Sequence, residues 1–244
     1  MQKLNALSHN CSFSFTEVTM TPPFYLFKPQ SNIGLQDYNE GFSIPDLMKV
    51  CVTGVVTARD NLVIDIDKQQ LLNKIRTFVD SSKSDEEIRK HFFGKQKSQN
   101  YPEGDSRGWK LSKARLRIKD NKHEQFIIPI AFRVFDNRYI YYSTDMVDWG
   151  REVIYKTHII NRDNICLVVP RQTSKDWRHV FVSNKVSNFN FLATGGQNGA
   201  GTHFPLYLHT ETEAVPNINK DIWNKINASV GKKVSEIEIF DYIY

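Results

Sequence analysis

Three carboxylates and a lysine stand close together early in the chain: Asp60, Asp65, Asp67 and Lys68. Clustered carboxylates can hold a divalent cation and orient water, which is how a metal-dependent nuclease works. The spacing argues against that use, because the lysine directly follows Asp67 instead of following an acid by two residues. The histidines (His9, His91, His123, His158, His179, His203 and His209) show no metal-ligand spacing. His203 and His209 are expected on one face of a single strand, in a structural role. There is no GxGxxG after a strand, no phosphate-binding GxxxxGK motif, no GxSxG and no HExxH. Cys11, Cys51 and Cys166 are far apart and lack CxxC spacing, so neither a disulfide framework nor a zinc site is expected. That cysteine usage suits a reducing cytoplasm. No catalytic residue and no metal ligand is assigned.

What the chain does offer is charge. Its net charge is +5. Residues 95–122 hold nine Lys and Arg (Lys95, Lys97, Arg107, Lys110, Lys113, Arg115, Arg117, Lys119, Lys122) against three acids (Glu103, Asp105, Asp120). That stretch is therefore +6 and the rest of the chain −1. A basic segment on a neutral body is the footprint of a phosphate-binding surface, the plainer alternative being a solvated basic face. Long polar side chains on loops can read base edges, while other cations fix register on phosphates. The base-reading candidates are Lys95, Gln96, Lys97, Gln99, Asn100, Arg107 and Lys110, with Arg115 and Arg117 expected as phosphate clamps. Arg171, Gln172, Lys175 and Arg178 flank a turn beside Trp177 and join the set. Arg59 joins too, although a salt bridge within the protein is an equal expectation for this loop arginine beside Asp60.

The elements that must position these residues follow from periodicity. At 244 residues, with 40% hydrophobic and 24% charged residues, the chain suits one large soluble domain or a domain with an appendage. No apolar run approaches the ~18 residues of a membrane span, and no secretory signal is expected. Residues 48–52 and 62–66 read as strands. Leu71, Leu72, Ile75, Phe78 and Val79 predict a helix capped by Asp67, and Ser84 with Glu87 predicts a capping box on a second helix. A short helix is expected around 108–115. Strands then follow at 116–118, 126–132, 139–142, 165–170, 179–182 and 203–208, with residues 195–201 as a glycine-rich connector. Helices at 220–228 and 235–244 close the chain. Because helices and strands are grouped, the fold class is α+β with a mostly antiparallel sheet of short strands.

Several segments carry a family resemblance. Residues 54–60, GVVTARD, resemble the G-x-x-T-x-R-D element that opens the C-terminal recognition region of some adenine-specific methyltransferases. Residues 130–142, IAFRVFDNRYIYY, are similar to that family's Y-R-P-F-D-x-R-x-x-Y-Y signature, with Val134 where the family has Pro and Ala131 where Tyr is expected. Residues 177–182, 204–208 and 239–244 match further blocks in the same order. The chain resembles the C-terminal target-recognition region of type ISP and type IIG-like restriction–modification enzymes and adenine-N6 DNA methyltransferases. The resemblance implies sequence-specific recognition of double-stranded DNA by a non-catalytic, cytoplasmic module with no membrane partner. It implies a methyltransferase domain on the same parent polypeptide, and S-adenosylmethionine bound there and not in this chain. The blocks are expected mainly as scaffold, since residues that read bases must differ between specificities. Asp136-Asn137 is expected as a hairpin turn, tied by an ion pair from Asp136 to Arg133 or Arg138.

The expected organisation is an irregular linker or packing segment at 1–46, a target-recognition domain at 47–215, and a C-terminal helical segment at 216–244 that is cut short. Residues 21–24, TPPF, are similar to an amino-methyltransferase motif, but only twenty residues precede them. A Pro-Pro turn in a linker is the expectation. Alternatives from other classes are a docking domain, its aromatic stretch 24–27 packing on the methyltransferase half, and a metal-dependent nuclease fragment using Asp60, Asp65 and Asp67.

Overall fold

The chain separates into two units, Met1–Ser43 and Ile44–Tyr244. The structure, a computed structural model, describes residues 17–18, 33–94, 100–106, 108–170, 180–192 and 201–244. The expectations placed on residues 21–27, on most of the connector at 195–201 and on Trp177 fall outside them. In the first unit, α1 (Leu35–Glu40) follows Gly34.

The second unit opens with α2 (Ile44–Leu47) and β1 (Val52–Thr53). The strand expected across 62–66 is instead one helical turn, α3 (Asp60–Val63), followed by β2 (Ile64–Asp65). The cause is local: the amides of Leu62 and Val63 both donate to the Arg59 carbonyl, at 2.9 and 3.0 Å. Helices α4 (Lys68–Val79) and α5 (Asp85–Phe93) begin where their caps predict. The Asp67 carboxylate accepts from the Gln70 amide, and Ser84 and Glu87 form the reciprocal box. Residues 116–118, expected to begin a strand, are the last turn of α6 (Leu111–Ile118). Leu111, Ala114 and Ile118 recur at i, i+3 and i+7 and are all buried, so helical period outweighs β-propensity there.

A 3-10 turn, His123–Phe126, leads into β3 (Ile127–Arg133) and β4 (Asp136–Tyr141). Then come α7 (Glu152–His158), β5 (Cys166–Pro170), β6 (Phe181–Ser183) and β7 (Val186–Ser187). The chain finishes with β8 (Gly201–Pro205), β9 (Tyr207–His209), β10 (Ala214–Pro216), α8 (Lys220–Val230) and α9 (Glu236–Ile243). The capping box at Ser235 and Glu238 forms as predicted. One sheet runs β1-β8-β5-β6, a second β2-β4-β3-β7, and β9 and β10 form a separate ribbon. Pairing is antiparallel except between β3 and β7.

Strand β5 explains how one chain fills two cores. Its side chains alternate across the sheet. Cys166 and Val168 join a core built on the second sheet with α4, α5 and α6, including Leu71, Phe78, Phe93, Trp109 and Ile130. Leu167 and Val169 face a second core with Phe204, Leu206, Val234, Ile239 and Phe240. Such burial on both faces is why β5 reads as a continuous apolar run.

Two further expectations change. His203 lies in β8 and His209 in β9, on different sheets, so they do not share a strand face. The hairpin between β3 and β4 turns at Val134-Phe135, because Arg133 pairs with Asp136 and both Asp136 and Asn137 are in the ladder. The Asp136 carboxylate is spent on Arg138, two residues along the same strand face, at 2.7 Å. No helix among the described residues is long and apolar enough to cross a membrane.

Candidate nucleic-acid interface

The basic stretch is organised around α6. Its buried residues hold it against the core, which leaves Lys113, Leu116 and Arg117 facing solvent, with Lys110 and Lys119 exposed at its ends. Lys110, Lys113 and Arg117 follow i, i+3, i+7 spacing and so form one cationic stripe. Leu116 is exposed beside it.

One acid of the stretch, Asp105, is turned to internal work, while Glu103 and Asp120 are exposed. Asp105 is buried beside Arg89 at 2.7 Å and accepts the Leu111 amide at 3.0 Å, which caps the start of α6. Arg89 also donates to the Glu103 carbonyl. A carboxylate at the helix start suits the unsatisfied N–H groups there. Asp105 and Arg115 are both spent on partners inside the protein, so their charges cancel and the segment still presents its positive excess to solvent.

Two candidates prove to be internal: Arg115 departs from the phosphate clamp expected of it, while Arg59 takes the internal salt bridge equally expected of it. Arg115 donates from Nε to the Phe78 carbonyl at 2.8 Å and through its other nitrogens to the carbonyls of Asp80 and Lys83 and to the Asp85 carboxylate. It therefore closes the last turn of α4 and fixes the link to α5, and four of its five N–H groups are spent inside the protein. Arg59 is 1% exposed. Its guanidinium donates to the Thr57 and Met146 carbonyls, to Ser106 Oγ, and to Asp148 at 2.6 Å, and it lies 3.9 Å from the Trp109 ring centre. Burial lowers the Arg59 pKa and Asp148 opposes that shift.

By contrast, Arg117 is 66% exposed, with Asp145 at 3.0 Å. Asn100 and Lys110 are also at the surface. Lys95, Gln96, Lys97, Gln99, Arg107, Arg171, Gln172, Lys175 and Arg178 lie outside the described residues.

The GVVTARD loop is the keystone that ties these parts together. The Val55 amide donates to the Ser187 carbonyl at 2.8 Å, and the Phe189 amide returns to the Val55 carbonyl at 2.8 Å. On its other side Val56 bridges to Trp149. Gly54 makes this possible: a Cβ there would sit 2.4 Å from the Asn188 carbonyl oxygen. That obstacle is backbone and cannot swing aside. Gly54→Ala is expected to cost about 1–3 kcal/mol in urea unfolding, and a variant as stable as the parent would refute the close-approach explanation. Thr57 then bonds Asp60, and a recess of about 380 Å³ opens beside the loop, bordered by Thr57, Asp60, Asn61, Asn188 and Asn190.

The three asparagines escaped the sequence-based candidate set. Asparagine amides are the groups that pair with adenine edges. Only their gathering from residues 61 and 188–190 reveals them, and that gathering is tertiary. Arg133, also missed, reaches Asn188 Oδ1 at 3.0 Å and stacks 4.0 Å from the Phe132 ring, as does Arg138.

The carboxylates of the nuclease alternative are dispersed in role. Asp60 holds Thr57, Asp65 pairs with Lys74 at 2.7 Å, and Asp67 caps α4. Among the described residues no group of three His, Cys, Asp or Glu side chains is placed to hold a metal ion.

An α+β module with two hydrophobic cores and an outward cationic helix is the class of structure these elements define. The chain belongs to the Type ISP C-terminal specificity domain family, whose profile matches residues 46–244. It is similar over 100% of its length to a chain in a cryo-EM structure of a DrdV–DNA complex, of which it covers 25%, with a TM-score of 0.67 and 20% identity. It is also similar over 81% of its length to the ATP-dependent Type ISP restriction–modification enzyme LlaBIII bound to DNA, covering 13% of that chain (TM-score 0.55, 17% identity). A nuclease-deletion mutant of the Type ISP enzyme LlaGI, in complex with a DNA substrate mimic, matches over 76% of the chain and 18% of its own length (TM-score 0.50, 15% identity). The chain thus spans a quarter or less of the length of these proteins. No curated protein matches it.

Proposed function

We propose that this domain reads a short sequence in double-stranded DNA and holds the duplex for a separate adenine-N6 methyltransferase domain of the same parent polypeptide. S-adenosylmethionine belongs to that domain, and this chain supplies grip and discrimination without catalysis. The observation that carries the proposal is the cationic stripe of α6 on a chain of the Type ISP specificity family, with Lys110, Lys113 and Arg117 turned outward. Phosphates contacted along such a stripe set register, and base edges are read by side chains carried on the same frame.

Fluorescence-anisotropy titration of the chain with mixed-sequence duplex, at about 50 and 200 mM salt, tests this. Binding is expected to weaken by orders of magnitude at the higher salt, because phosphate contacts release counterions. A Lys113→Ala/Arg117→Ala double variant should flatten the slope of log affinity against log salt by about 2, near 0.9 for each phosphate no longer neutralised. It should keep the parent's stability to within roughly 0.5 kcal/mol, as exposed side chains do. A folded protein that ignores the duplex at low salt, or a double variant with the parent's slope, contradicts the assignment of α6.

A further inference from the structure

The hairpin between β3 and β4 ends in a side chain whose placement costs the free protein twice. Phe135 is 96% exposed, and its φ is +61°. A bulky residue in the left-handed region is an outlier, because its Cβ crowds the backbone. Hairpin turns normally give that position to Gly or Asn. The next residues, Asp136 and Asn137, would serve a turn well, yet the ladder runs through them and leaves the phenylalanine at the tip. Neither burial nor backbone preference accounts for a phenylalanine there.

The surroundings indicate what it meets. Arg133 and Arg138 both lie 4.0 Å from the ring centre of Phe132, at the base of the same hairpin. Lys185 borders the recess that opens beside the tip, together with Arg133, Asn137 and Phe181. The one acid on the hairpin, Asp136, is engaged by Arg138 through two nitrogens. Phe181 stands edge-on to Phe135, with ring centres 6.5 Å apart, and steadies it from one side. An apolar wedge at a turn of the four-stranded sheet, with cations behind it, suits a polyanion with a stacked aromatic interior. It suits a neutral apolar partner poorly.

We propose that Phe135 enters the base stack of the bound duplex, with Arg133 and Lys185 beside the flanking phosphates. Aromatic and apolar wedges of this kind part a base step and stack on the exposed base face. On intact duplex the stacking gained is largely offset by the unstacking required. On a duplex already opened at one position the gain is free of that cost. This inference rests on the DNA-recognition reading of the domain.

The test compares mixed-sequence duplex with the same duplex carrying one abasic site, at low salt. The wild-type chain should prefer the abasic duplex by roughly tenfold, the weight of one stacked base. Phe135→Gly should abolish that preference. Its melting midpoint should equal or exceed the parent's, because glycine relieves the positive φ. Phe135→Trp should keep the preference. A wild-type chain that binds both duplexes equally, or a Phe135→Gly variant that retains the preference, overturns the wedge and leaves DNA recognition standing. A folded wild-type chain that binds neither duplex overturns both, and the hairpin tip then belongs to a contact with another protein domain.

Discussion

Replacing Arg59 with alanine should lower the folding stability of the domain by about 3–5 kcal/mol, the range for breaking a buried ion pair by removing one partner. The side chain is 1% exposed, and its guanidinium joins three parts of the chain that are distant in sequence. It holds its own loop through the Thr57 carbonyl, the 143–148 turn through Met146 and Asp148, and the entry to α6 through Ser106 and the Trp109 ring. Truncation leaves two carbonyls and a carboxylate without their donor, and a void under the indole. Arg59→Lys should recover only part of the loss. A single ammonium cannot reproduce the planar fork that meets Asp148, Ser106 and the carbonyls together. Urea unfolding followed by circular dichroism should show a lower midpoint with an unchanged slope. A loss below about 1 kcal/mol would mean that the network is ornamental and that Arg59 is kept for a contact outside this chain.

That expectation also bears on how much of the site was legible in the sequence. The frame was readable where the signal is local: the caps at Asp67, Ser84 and Ser235, the periodic face of α4, and the run of β5. The resemblance blocks mark the frame as well, and Gly54, Arg59 and Asp136 are each explained by contacts within the chain. What could not be read is which of two near-identical residues faces inward. Arg115 and Arg117 are two positions apart on one helix, and nothing in their types separates them. The uncapped carbonyls at the end of α4 and the Asp85 carboxylate lie on one side of α6, so Arg115 is captured and Arg117 is left to solvent. The recess asparagines were illegible for the same reason. Residues 61 and 188–190 meet only because β7 pairs in parallel with β3 and delivers its following residues beside the GVVTARD loop.

The second large effect is acid sensitivity centred on a buried histidine. His203 is fully buried in β8, with Nδ1 2.9 Å from the Tyr155 hydroxyl and Nε2 without a hydrogen-bond partner. Burial holds its pKa down at about 3, against the ordinary value of 6.5. The folded state therefore keeps the imidazole neutral, while the unfolded chain takes up a proton near pH 6.5. Between those values the unfolded state binds more protons, so stability is fully present above pH 6.5 and falls as pH drops toward 3. The fall is at most about 1.4 kcal/mol per pH unit, roughly 5 kcal/mol over the whole window. His123 and His158, whose pKa values burial also lowers, add in the same direction. The contribution of His203 is isolated by comparison with His203→Gln, which keeps a polar partner for Tyr155 but does not titrate. Unfolding free energies of the two proteins measured from pH 7 to pH 4.5 should converge, the parent losing about 2 kcal/mol more than the variant over that range. Parallel curves would mean that His203 reaches solvent, or that the proton is accommodated in the folded state by a shift of Tyr155.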